Sequence, residues 1–254
     1  MVVTTTAVAF ILLSLGLTIC GLWFLKAFQN SDNPKRDTKI GFLVPFIYLG
    51  FGLSNGMIGI GAFLFAKNSE VLYFVLIASH FILTLIAILG VYTAYYIFSP
   101  RLSPYLGMIF AGILGIIGII TTIITHPRPY ISLQNSIEWN MNFSTSLLFF
   151  YILFISIGST LYIFVRLFLT ARTRQVKFLS LLLSTLAFTA ILIHFIRFVL
   201  LYNIDTSVRT RIEDFGTVLM GIVSIIVLLI VPIIKNLIIT GKSKILGDSK
   251  KYKI

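Results

Sequence analysis

Three ionisable side chains lie inside long apolar stretches of this sequence: His80, His194 and Arg197. A titratable group at membrane depth is costly, so it is a functional-site hypothesis by default. "Outer" below means the side opposite the basic loops. His80 follows the outer start of its stretch by nine residues, and His194 precedes the outer end of its own by eight. At the helical rise per residue these are depths of about 13 Å and about 12 Å. The two imidazoles therefore share a level in the outer half. Arg197 follows His194 by three residues, on the same helix face and one turn nearer the outside. From there its guanidinium can snorkel to the interface.

Three readings fit this trio. In the first, each His satisfies a hydrogen bond to a neighbouring helix, and Arg197 snorkels or pairs with an outer-loop acid. In the second, His80, His194 and Arg197 form a polar ligand pocket open to the outside, with Arg197 facing an anionic group. In the third, the two His ligate a b-type haem and Arg197 meets a propionate. Two His are too few for a zinc site.

Other candidates are weaker. Gly52-Leu53-Ser54-Asn55-Gly56 has the G-x-S-x-G spacing, but a nucleophile elbow needs a strand–turn–helix setting and this stretch is an apolar helix. Ser54 is about 16 Å deep, near the His level, so a Ser–His dyad is a minor alternative. His126-Pro127-Arg128-Pro129 reads as a stiff cap on an outer loop. All eight acids fall in loops or at ends of stretches, Glu213 and Asp214 among them. Without a carboxylate in the core, ion-coupled transport is disfavoured. A retinal Schiff base fails for lack of a central Lys in the last stretch, and enzymatic activity is not expected. One Cys, Cys20, excludes a disulfide scaffold and any multi-Cys cluster.

Long helices must position these groups. The chain has 254 residues, 58% hydrophobic and 11% charged. A soluble domain carries roughly 25% charged residues. Seven stretches are long enough to span about 30 Å of hydrocarbon: Val2–Phe24, Ile40–Phe65, Val71–Ile97, Tyr105–Ile124, Phe143–Phe168, Phe178–Tyr202 and Phe215–Ile234. Runs this long without alternation are helices, because in lipid the backbone must bond within itself. The expected fold is thus an all-α, seven-transmembrane-helix bundle over 1–240, followed by a basic tail, 241–254.

Fifteen Lys and Arg fall on one side of this arrangement and four on the other, with Arg197 inside a helix. The rule that basic residues stay inside puts the N-terminus outside and the tail in the cytoplasm, in a plasma membrane. It also accounts for most of the net charge of +12, so no nucleic-acid partner is needed. The tail lysines Lys242, Lys244, Lys250, Lys251 and Lys253 suit anionic lipid headgroups. The longest connection, 126–142, spaces Ile131, Leu133, Ile137 and Met141 as a short interfacial helix would. Glycines crowd the second and fourth stretches, where they permit close helix packing; a glycine-lined path is the lesser alternative. Together these features suggest a receptor-like or sensory bundle that binds a small or lipidic ligand in its outer half and signals to a cytoplasmic-side protein partner. A facilitative transporter, a haem-binding membrane subunit and a scaffold subunit of a membrane complex are the alternatives.

Overall fold

The computed structural model describes residues 3–29, 38–98, 103–133, 135–170, 174–200, 208, 211–223 and 225–226. The inner basic residues Lys35, Arg36, Arg101 and Arg172, the outer Arg209, the rest of the seventh stretch and the tail lie outside them. Six long apolar helices make this an integral membrane protein: α1 (Thr5–Gln29), α2 (Thr38–Leu64), α3 (Ser69–Phe98), α4 (Pro104–Thr125), α5 (Phe143–Thr170) and α6 (Arg174–Phe195). A π-helical turn, Ile196–Leu200, continues α6, and residues 211–223 are helical. The helix starts follow from local chemistry. Thr4 Oγ1 accepts the Ala7 N–H, Asn68 Oδ1 that of Val71, and Asn142 Oδ1 that of Thr145, at 2.8–3.2 Å. Each satisfies a donor that a helix N-terminus leaves free. His126 ends α4 in a left-handed conformation, φ 42°, with its N–H on the Thr122 carbonyl, as a loop cap should.

Segment 126–142 corrects one expectation. It forms no helix. Tyr130–Ile131 (β1) and Ile137–Glu138 (β2) pair as a short antiparallel hairpin. Asn135 and Asn140 sit at positive φ, 62° and 50°, a conformation that Asn tolerates better than most residues and that interrupts a helix. The hairpin folds inward over the bundle: Ile137, Trp139 and Met141 are buried. It also grips the chain's start, since Thr5 donates its N–H to the Asn135 carbonyl and Thr6 Oγ1 accepts the Ile137 N–H.

α1 lies against α2, α2 against α3, α3 against α5, and α5 against α6. Gly221 of the 211–223 helix abuts Leu12 and Leu13 of α1, which brings the two ends of the ring together. α4 stands outside it, against α3 and α5, with Leu106, Phe110, Ile116 and Ile124 exposed to lipid. The glycines of α2 and α4 serve these contacts. A Cβ at Gly59 would meet the Ile11 backbone nitrogen at 2.8 Å, and one at Gly56 the Ser14 hydroxyl at 2.8 Å. Gly115 faces Thr84 and Gly118 faces Ile152. These are the close approaches that small residues permit.

Candidate functional site

A cavity of about 110 Å³ runs along the middle of the ring. Its walls come from α1, α2, α3, α5, α6, the 211–223 helix and the hairpin, and no α4 residue lines it. On α6 the lining extends from Leu183 to Arg197, about 21 Å along the helix axis. On α5 it extends from Phe149 to Thr160, about 16 Å. Trp139, Met141 and Glu213 border the end that carries the hairpin. Among the described residues, no glycine borders the cavity.

The structure brings His194 and Arg197 to this wall, but not His80. Arg197 is 2% exposed and does not snorkel. Its Nε lies 2.6 Å from Glu213 Oε2, and both side chains are buried. Arg197 Cζ stands 4.4 Å over the Phe198 ring, an approach that favours a cation. His194 Nδ1 bonds the Ala190 carbonyl at 2.7 Å and its ring stacks near Phe198. Arg197 sits within the π-helical turn. Such turns are rare and are frequent at functional sites.

The acids are the second correction. Glu138, Glu213 and Asp214, which fall in a loop or at the end of a stretch in the sequence, are buried. They occupy the hairpin end because each finds partners there. Glu213 meets Arg197, and Glu138 Oε1 accepts the Asn140 N–H at 3.4 Å. Asp214 Oδ2 accepts the hydroxyls of Thr5 and Thr6 at 2.6 and 3.1 Å, and Thr5 also meets Ser136 at 2.6 Å. Burial pushes the Asp214 carboxyl above its ordinary value; the Thr5, Ser136 and Thr6 hydroxyls and the Arg197 charge oppose the shift. The start of α1, the hairpin and the 211–223 helix are thus fastened by one polar knot. The ground for setting aside ion coupling is narrower than the sequence suggested, since Glu213 reaches the cavity wall.

His80 lies behind that wall, 1% exposed. Its Nδ1 is 3.3 Å from Thr122 Oγ1, and its ring stands edge-on to Phe149 at 4.2 Å. Phe149 contacts Phe198 at 5.2 Å, and Phe198 neighbours His194 at 6.0 Å. A relay of phenyl rings therefore joins the two imidazoles, and they share no open slot in which both could bind a haem. Nor does Ser54 meet a His: its hydroxyl is 2.7 Å from that of Ser79.

His80 Nε2 has no hydrogen-bond partner among the described residues. Removing such an orphan with a side chain of similar size is close to neutral. His80→Leu is therefore expected to unfold within about 1 kcal/mol of the native protein. Heat or detergent unfolding would show it, and a loss as large as that expected for Arg197 variants would assign His80 a role this geometry does not give it.

The chain matches no protein-family model, and no curated protein or solved structure is similar to it.

Proposed function

We propose that this membrane protein is a receptor-like, sensory seven-helix bundle, with the N-terminus outside and the tail in the cytoplasm. A small or lipidic ligand enters its outer half, and the change is passed to a cytoplasmic-side protein partner. The observation that carries this reading is the buried Arg197–Glu213 pair on the wall of a cavity within a largely apolar ring. Largely apolar pockets with a few convergent polar groups are the usual form of a ligand site. The same pair joins the π-helical turn after α6 to the 211–223 helix, so a ligand at the pair would alter how these two segments pack. On the inner side, the tail lysines would hold anionic headgroups, each worth about 1 kcal/mol near the surface.

A facilitative transporter is the second reading, favoured by the reach of the cavity to Thr160 and Leu183, well below the hairpin end. Purification from the native membrane is expected to bring down a stoichiometric partner. Solute flux through liposomes holding the protein alone, lost in Arg197→Met, would instead select the transporter.

A further inference from the structure

The cavity is long, narrow and chemically uneven. Below the Arg197–Glu213 pair its polar side chains are already occupied along the shaft. Ser54 is bonded to Ser79, the Asn55 amide donates to the Phe51 carbonyl, and Thr160 donates to the Ser156 carbonyl. What they leave facing the shaft is mainly hydrocarbon and phenyl, from Phe51, Leu83, Leu153 and Leu186, with Tyr48 beside them. The lining extends from Leu183 to Arg197 on α6, about 21 Å along the helix axis, a reach that suits a flexible chain. The polar end is different. There Arg197 and Glu213 stand side by side as a buried ion pair, and the second carboxyl near Arg197, that of Asp214, is taken up by the Thr5 and Thr6 hydroxyls. A carboxylate or an ammonium would enter as an extra buried charge beside a matched pair, which is costly. A hydroxyl or amide can bond both partners without that cost.

We propose that the cavity takes an uncharged single-chain amphiphile of medium length. Its chain lies along the shaft, and its hydroxyl or amide head hydrogen-bonds at the Arg197–Glu213 pair. This rests on the ligand-pocket reading above and adds the chemical class of the ligand.

Trp139 borders the polar end of the cavity, and only one other Trp, Trp23, occurs in the chain. The test uses full-length protein carrying Trp23→Phe in lipid nanodiscs. Octanamide, octanoic acid and octylamine, each brominated at mid-chain, are titrated as quenchers of Trp139 fluorescence. Saturable quenching by the amide is expected at concentrations about tenfold or more below those of the acid and the amine. It should vanish in Ala190→Phe, which fills the shaft; should that variant not fold, Ala187→Phe serves the same purpose. Tighter binding of the acid or the amine would overturn the uncharged head while leaving the pocket standing. Saturable quenching by para-bromobenzamide but by none of the chains would overturn the chain and keep the pocket. Quenching by the amide that survives both filling variants would place the amphiphile elsewhere and overturn the inference. No saturable quenching by any probe would overturn the inference and the pocket together.

Discussion

Arg197→Met should lower the unfolding free energy by about 3–5 kcal/mol, because it removes the opposite charge from beside a buried carboxylate. Glu213 is 4% exposed, and the Arg197 guanidinium supplies its opposite charge at 2.6 Å. The double variant Arg197→Met, Glu213→Leu removes both charges and fills their space with hydrocarbon. Replacing a buried pair in this way is often neutral or stabilising, so the double variant is expected within about 1 kcal/mol of the native protein, or above it. Both variants should nevertheless lose ligand, since each removes the polar end of the cavity. Unfolding of the purified protein in detergent reads the stability, and Trp139 quenching reads the site. A single variant as stable as the native protein would mean that Glu213 is not held by Arg197.

Gly59→Val should be the next most damaging change. Its Cβ would stand 2.8 Å from the Ile11 nitrogen and 3.2 Å from the Phe10 carbonyl carbon. Backbone atoms cannot step aside as a flexible side chain can, so α1 and α2 must separate. Overpacking ordinarily costs about 1–3 kcal/mol, and this site should reach the upper part of that range. Gly158 is the internal control. No heavy atom lies within 4 Å of the position its Cβ would take, so Gly158→Ala should stabilise α5 by up to about 1 kcal/mol. Equal stability of the two variants would mean that α1 and α2 are not in close contact at Gly59.

The helices were legible because lipid leaves a spanning backbone few choices, and apolar length alone nearly sets their limits. The winding of α6 was the exception: past Phe195 the α-helix widens into a π-turn that runs to Leu200, a change with no mark in composition, and Tyr202, the expected end of the stretch, lies outside the described residues. The hairpin was hidden for another reason. Ile131, Ile137 and Met141 fit a helical spacing as well as a folded-back loop. What selects the loop is the left-handed backbone at Asn135 and Asn140 and the bonds to Thr5 and Thr6, contacts between residues far apart in sequence.

The candidate site was half legible. Depth put His80 and His194 at one level with Arg197 one turn nearer the outside, but depth says nothing of direction. Apolar residues surround α3 on every side, so no stripe shows that His80 points toward Thr122 and Phe149 and away from the cavity. Glu213 falls at the head of the last stretch, and pairing of Arg197 with an outer-loop acid was one of the three readings, with no single acid named. The signal that it is a partner of Arg197 was present: an intramembrane cation requires an opposite charge, and the nearest acids beyond it were Asp205, Glu213 and Asp214.

Cysteine accessibility tests the central claim, a cavity that a small molecule can enter from the hairpin side. Cys20, the chain's one cysteine, is first replaced by Ala. A membrane-impermeant methanethiosulfonate reagent is then added to the hairpin side of three single-cysteine variants. Leu133→Cys lies at a fully exposed position of the hairpin, Ala190→Cys on the cavity wall and Ala87→Cys in the buried core away from it. The account predicts that Leu133→Cys and Ala190→Cys are modified, that Ala87→Cys is not, and that octanamide protects Ala190→Cys alone. Modification of Leu133→Cys with Ala190→Cys as inert as Ala87→Cys would contradict it.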